Sequence, residues 1–179
     1  MDEVKRNDRI YQANDRGELL LPVAHYAIIN SNNKFSSKLK IVIYGLGSCV
    51  APIIYDKKLK IAGMSHVLVP NSRKRESEVY PHKYADHSVR LLVEELLNHG
   101  ARKENLVAII VGGAKIFRHQ DCEVGARNVK IVKNELKKLN IKLIKEDTGG
   151  FRGRIIEFNS YNFSVSVKMT GNPYFKGMF

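Results

Sequence analysis

The stretch Leu39-Lys40-Ile41-Val42-Ile43-Tyr44-Gly45-Leu46-Gly47-Ser48-Cys49-Val50-Ala51-Pro52-Ile53-Ile54-Tyr55 sets two apolar runs either side of a glycine-bearing turn. Leu39 to Tyr44 is short and β-branched, which predicts a strand. Gly45 to Cys49 reads as a sharp turn, where glycine lets the backbone come close to another group. Val50 to Tyr55 continues as a strand or a short helix. Asp56-Lys57-Lys58 is a turn, and Leu59 to Val69 reads as a buried strand ended by Pro70. A tight turn between two apolar segments predicts hairpin-like pairing, with Cys49 on one arm and His66 on the other.

Working outward, the first twenty residues are polar and read as a poorly ordered arm. Leu20 to Ile29 looks like the first strand, and Asn30 to Ser37 is a loop rich in Asn and Ser. Asn71 to Lys83 reads as a charged surface loop. Tyr84 to His99 is helical, with Val89, Leu92, Val93 and Leu96 on one face and Gly100 placed to end it. Leu106 to Val111 is a strand running into Gly112-Gly113, followed by a loop or short helix from Ala114 to Ala126. Asn128 is placed to cap a second helix that buries Val129, Val132, Leu136 and Leu139. Ile141 to Ile144 is a strand, Asp147-Thr148-Gly149-Gly150 a structural turn. Arg154 to Asn159 and Phe163 to Lys168 read as a closing hairpin, with a loose tail from Met169. Strands outnumber helices, and both helices lie in the second half, so the pattern predicts a mixed α/β sandwich rather than a regular βαβ alternation. The boundaries expected are an arm over 1–20, one domain over 21–168 and a tail over 169–179.

The 179 residues, 44% of them hydrophobic, suit one globular core. No run approaches the roughly 18–20 apolar residues of a membrane-spanning helix. The charged start Met1-Asp2-Glu3-Val4-Lys5-Arg6 lacks the apolar centre of a signal peptide. A cytoplasmic protein without membrane insertion is expected. Two cysteines, Cys49 and Cys122, argue against a structural disulfide and a four-cysteine zinc site. The net charge of +12 favours acidic partners, either nucleic acid or an acidic protein surface. The basic residues are spread out, so Arg73-Lys74-Arg75 reads as a solvated loop rather than a nucleic-acid patch.

Cys49, after Gly45 and Gly47, sits where the N–H groups of Ser48 and Cys49 could hold an oxyanion. The bland alternative is a small buried hydrophobe. His66, inside an apolar run, is by itself an ordinary core histidine. The combination is what points to chemistry, because an imidazole beside a thiol can take its proton and make a nucleophile. Gly112-Gly113 reads as a plain turn that could also approach a substrate. His119 and Cys122 give half a metal site at best, so no metal is expected. Arg152 and Arg154 could bind carboxylates, but read by default as solvated surface arginines.

The blocks Gly45-Leu46-Gly47-Ser48-Cys49-Val50 and Ala62-Gly63-Met64-Ser65-His66-Val67-Leu68-Val69-Pro70 resemble the signature of the CheD family of chemoreceptor glutamine deamidases. Lys83-Tyr84-Ala85-Asp86, Gly112-Gly113-Ala114, Phe117, Gly125-Ala126-Arg127-Asn128-Val129 and Glu146-Asp147-Thr148-Gly149-Gly150 extend the resemblance in register from about Pro22 to Lys168. It implies a fold similar to that of cytotoxic necrotizing factor toxins, a mixed β-sandwich flanked by helices. It implies Cys49 as nucleophile, His66 as base, an oxyanion site in the backbone around Gly47 and Ser48, and no cofactor. It places Gly112, Gly113 and Phe117 beside the active site as partner or substrate contacts. Its implied partners are the cytoplasmic domain of methyl-accepting chemoreceptors, as substrate, and a CheC-type phosphatase; a monomer is expected. The family's third catalytic member, a threonine, falls on Ile43, whose side chain cannot hydrogen-bond imidazole. The Ile43 carbonyl, Ser48 or Ser65 could orient the ring instead, or the ring is less well held. A chain altered there could also serve as a binding module with little or no activity.

Overall fold

The computed structural model describes residues 3–6, 9–11, 13–32, 39–72, 80–116, 123–171 and 175–178, with backbone alone for the first two segments and the last. The described strands are β1 (Glu3–Arg6), β2 (Arg9–Tyr11), β3 (Glu18–Leu20), β4 (Tyr26–Asn30), β5 (Lys40–Leu46), β6 (Val50–Asp56), β7 (Ile61–Ser65), β8 (Val107–Gly112), β9 (Lys142–Thr148), β10 (Arg154–Asn159), β11 (Ser164–Met169) and β12 (Phe175–Met178). The helices are α1 (Ala85–Asn98) and α2 (Val124–Lys138).

These strands make two sheets, ordered β2-β1-β4-β7-β6-β8-β9 and β12-β11-β10-β5-β3. The period-2 alternation of side chains explains how they stack. From β6, Ala51, Ile53 and Tyr55 join Ile41, Ile43, Ile156 and Phe158 of the smaller sheet in one core. The alternate residues Val50 and Ile54 face the other way and pack with Leu92 and Leu96 of α1 and Val132 and Leu136 of α2. The molecule is therefore three layers: small sheet, large sheet, helices. β6 and β7 are buried along their whole length because both of their faces are covered. This is the mixed β-sandwich flanked by helices that the resemblance implies.

The β6–β7 hairpin forms as the spacing predicts, antiparallel from Ile53↔Met64 to Asp56↔Ile61. The buried Asp56 carboxylate accepts from the N–H groups of Lys58, Leu59 and Arg102 and from Asn105 Nδ2, tying the turn to the segment after α1.

Several boundaries differ from the expected ones. The polar first twenty residues include strands, and Leu19, wholly buried, pairs β3 in parallel with β5. Leu20 to Ile29 is broken in two by a turn in which Ala24 adopts φ 67°. Its first part joins the small sheet and its second the large one, so the segment crosses the sandwich. Asn128 does not cap α2, which begins four residues earlier; it is buried inside the helix. Past Lys168, Met169 completes β11, and β12 pairs with it, where a loose tail was expected. Arg73-Lys74-Arg75, Phe117, His119 and Cys122 lie outside the described residues. None of the helices among the described residues is long and apolar enough to cross a membrane.

Candidate active site

Cys49 stands at the head of β6, half-buried against the inter-sheet core. Pro52, three residues on, has no N–H to give to the neighbouring strand. The β6–β7 ladder stops at Ile53↔Met64 and reappears only as a single bridge, Val50↔Val67, closed by Val50 N–H to Val67 carbonyl (3.0 Å) and Val67 N–H to Val50 carbonyl (2.9 Å). Beyond that bridge the strands part. The N–H groups of Leu68 and Val69 go to the Lys83 carbonyl, and Ala85 N–H goes to Val69. Cys49 therefore lies where one arm of the hairpin turns away and leaves the end of the sandwich open.

The register fixes which side chains share a face. Val50 and Val67 both enter the core under the helices. Their neighbours Cys49 and His66 consequently lie on the opposite, inter-sheet face. There the register makes them diagonal neighbours across the strand pair. No hydrogen bond joins the two side chains among the described residues.

His66 is 5% exposed, and its backbone is clamped by the sheet-crossing segment: its N–H donates to His25 carbonyl (2.9 Å) and its carbonyl accepts from Ala24 N–H (2.9 Å). Its ring Nδ1 lies 3.2 Å from the Leu21 carbonyl. A carbonyl can only accept, so this contact places the proton on Nδ1 and leaves the Nε2 lone pair for a base. Leu21 is itself held, its N–H donating to Val42 carbonyl at 2.8 Å. Ile43, by contrast, is 1% exposed in the inter-sheet core, and Ser65 Oγ takes its bond from Ser88 Oγ (2.8 Å). Of the ways to orient the ring that the sequence leaves open, none is the one observed: the acceptor is the Leu21 carbonyl. Any residue carries a carbonyl, so no side-chain signal marks Leu21. The break before Pro22 is the nearest clue.

Burial pushes the Cys49 thiol up to about 11, with the Cys49 backbone N–H opposing. Burial also holds the His66 imidazolium below the ordinary histidine range; the Leu21 bond opposes this and nearby His25 adds to it. At neutral pH the resting pair is thus thiol and neutral imidazole. Such a pair reacts by moving the thiol proton as the sulfur attacks, not from a standing ion pair.

The turn before the sulfur is built by its carbonyls. Gly47 carbonyl accepts from Ala114 N–H (2.9 Å), Ser48 carbonyl from Asn128 Nδ2 (3.1 Å), and Cys49 carbonyl from Gly113 N–H (2.7 Å). In a trans peptide the N–H points opposite to the carbonyl of the same plane. The N–H of Ser48 is therefore turned away from Ala114, and that of Cys49 away from Asn128. Gly112 and Gly113 are buried behind this turn. A Cβ on Gly112 (φ +116°) would stand 2.3 Å from the Cys49 carbonyl oxygen, and one on Gly113 (φ +68°) would meet Val129 of α2 at 2.4 Å. Both glycines thus have a packing reason.

Arg154, read as a surface arginine, is 2% exposed and gives Nε and Nη2 to Asp147 Oδ1 (3.2 and 2.9 Å). It joins β10 of one sheet to β9 of the other beside the Gly149-Gly150 turn. Its place in the alternation Arg154, Ile156, Phe158 was the available signal. Asn128 likewise falls on the buried stripe with Val132 and Leu136. No group of three or more His, Cys, Asp or Glu side chains able to hold a metal occurs among the described residues.

Comparison with known proteins identifies relatives. The family model "CheD chemotactic sensory transduction" matches residues 68–169. The chain is 46% identical over 131 residues to the chemoreceptor glutamine deamidase CheD of Thermotoga maritima, covering 73% of this chain and 82% of that one. It is 37% identical over 148 residues to a probable chemoreceptor glutamine deamidase CheD of Clostridium acetobutylicum, covering 80% and 89%. With its counterpart from Methanococcus vannielii it shares 42% over 125 residues, covering 69% and 80%. Among solved structures, a hypothetical protein of Bacillus licheniformis, YfiH, aligns at a TM-score of 0.39 and 12% identity, over 62% of this chain and 46% of that one.

Proposed function

The chain belongs to the CheD family, and on that premise we propose that it hydrolyses glutamine side chains of chemoreceptors to glutamate, with Cys49 as nucleophile and His66 as base. The observation that supports this most is the setting of His66: its Nδ1 lies against the Leu21 carbonyl, and the register puts the residue on the same face as Cys49 across the hairpin.

As Cys49 Sγ attacks the carboxamide carbon, His66 Nε2 takes the thiol proton. The N–H groups of Ser48 and Cys49 receive the developing oxyanion. The imidazolium then returns its proton to the departing nitrogen, and ammonia leaves a thioester on Cys49. His66 deprotonates a water, which attacks the thioester carbonyl and gives glutamate and the free thiol. The balance is one glutamine and one water in, one glutamate and one ammonia out, with no organic cofactor. We place this activity in the cytoplasm, on a monomer that also binds a CheC-type phosphatase; size-exclusion chromatography with and without that phosphatase tests both points.

Incubation with a chemoreceptor cytoplasmic fragment should add about 1 Da per converted glutamine and release equimolar ammonia. Cys49→Ala and His66→Ala should each abolish conversion while remaining folded. Conversion that persists in Cys49→Ala would overturn the assignment.

A further inference from the structure

Asn128 is wholly buried in the first half of α2, yet its side-chain Nδ2 bonds outside its own helix. Its Nδ2 donates to two backbone carbonyls: Ser48, one residue before the cysteine (3.1 Å), and Leu68, two residues after the histidine (3.0 Å). The partners are telling. In a ladder continued past Val50↔Val67, Val69 N–H would meet the Ser48 carbonyl. Val69 N–H is instead spent on Lys83 (3.1 Å), because that strand has turned towards 83–85. The Asn128 carboxamide takes over the missing bond and spans the gap between the parting strands.

We infer that Asn128 is a positioning residue for the deamidation: by holding the Ser48 carbonyl it sets the plane of the Ser48–Cys49 peptide and so aims the Cys49 N–H at the sulfur and the oxyanion. This rests on the Cys49–His66 reading above. Three observations carry it. Peptide planarity makes the direction of the Cys49 N–H a consequence of where the Ser48 carbonyl is held. One donor group bridges the cysteine segment and the histidine segment. Asn128 Oδ1, moreover, is buried without a partner among the described residues. An unpaired buried acceptor costs stability, so packing alone would favour an apolar side chain on this stripe, and the carboxamide is explained by what its Nδ2 holds.

The test uses the full chain with Asn128→Leu, which keeps the branching and removes the donor, and Asn128→Asp, which keeps shape and puts an acceptor against both carbonyls. Turnover is followed on a chemoreceptor cytoplasmic fragment. Cys49 reactivity is followed separately by iodoacetamide at pH 8 with peptide mapping. Folding is checked by circular dichroism. In whichever variant folds, kcat should fall about 100-fold, the loss typical of one oxyanion donor, with KM within about threefold. Alkylation of Cys49 should slow several-fold, because its thiolate loses the N–H that supports it. A folded variant with kcat within threefold of the parent, or with its loss wholly in KM, would overturn the proposal. Failure of the parent to convert glutamine, or conversion by Cys49→Ala, would instead sink the Cys49–His66 reading. The alkylation rate reports on Asn128 in either case.

Discussion

Ile43 stands where the sequence resemblance implies a threonine, and its environment decides what that change does. It is buried in the inter-sheet core, and the His66 Nδ1 that a threonine would serve already has the Leu21 carbonyl. Ile43→Thr should therefore leave kcat within about threefold. It should also lower stability by roughly 2 kcal/mol, through lost apolar burial and a buried hydroxyl, a fall in Tm of roughly 4–8 °C for a chain of this size. A tenfold rise in turnover would show that the hydroxyl, not the carbonyl, is the better support. His66 itself sets the acid limb of activity. His66 must be neutral to accept the thiol proton, and burial lowers its pKa, so kcat/KM should rise with pH through a midpoint below 6.5 and stay level at neutral pH. A pH–rate profile with its midpoint above 6.5 would contradict the buried, neutral base. The two side chains proposed to react could be singled out in the sequence because each carries its chemistry in its residue type. Leu21 was not, since the group it supplies is common to the whole backbone.

Between elements, the site depends on one strand leaving its partner. The hairpin was legible from its apolar arms and tight turn, but the parting after Val67 was not. It comes from the 83–85 segment capturing the N–H groups of Leu68 and Val69, a competition between segments distant in sequence. The end of β8 closes the back of the turn. Gly112→Ala would set a methyl against the Cys49 carbonyl at a φ that L-residues rarely adopt. Kinetics of a folded Gly112→Ala protein should show at least a tenfold lower kcat, as displacement of about 1 Å at reacting atoms is costly. On the far face of β7, Ser88 Oγ donates to Ser65, His82 Nδ1 lies 3.3 Å from Ser88, and the His82 ring stacks on Tyr26 at 4.1 Å. Burial pushes the His82 pKa down to about 3, with His25 adding to it. The unfolded chain takes up this proton below about 6.5 and the folded chain does not until near 3. Stability is therefore lost as pH falls through that window, by at most about 1.4 kcal/mol per unit. Thermal melts from pH 7 to 4.5 should show this slope, and His82→Phe, which keeps the stack, should reduce it, leaving the part that the lowered His66 pKa contributes.

At the scale of the whole molecule, the sequence carried the layer type but not the sheet assignment. Alternation along β6, β8 and β10 marks which residues point together, yet nothing local says that Leu19 belongs to the small sheet and Ile28 to the large one. That division follows from the left-handed turn at Ala24, where the chain crosses the sandwich and brings the Leu21 carbonyl to the histidine. Net charge, in contrast, is read directly from composition, and it bears on encounter rather than on chemistry. The chain carries +12, with Lys130, Lys137, Lys138 and Lys142 exposed along α2 and β9. If the substrate is an acidic receptor surface, association is steered by this field, and the steering is screened over about 10 Å at 0.1 M salt. The proposed pair, with His66 buried and Cys49 half-buried, is screened much less. Raising salt from about 0.05 to 0.5 M should thus lower kcat/KM on a receptor fragment several-fold while leaving kcat unchanged, and alkylation of Cys49 by neutral iodoacetamide should not respond. A kcat that falls in parallel with kcat/KM would place the salt effect in the site itself and remove the case for long-range attraction.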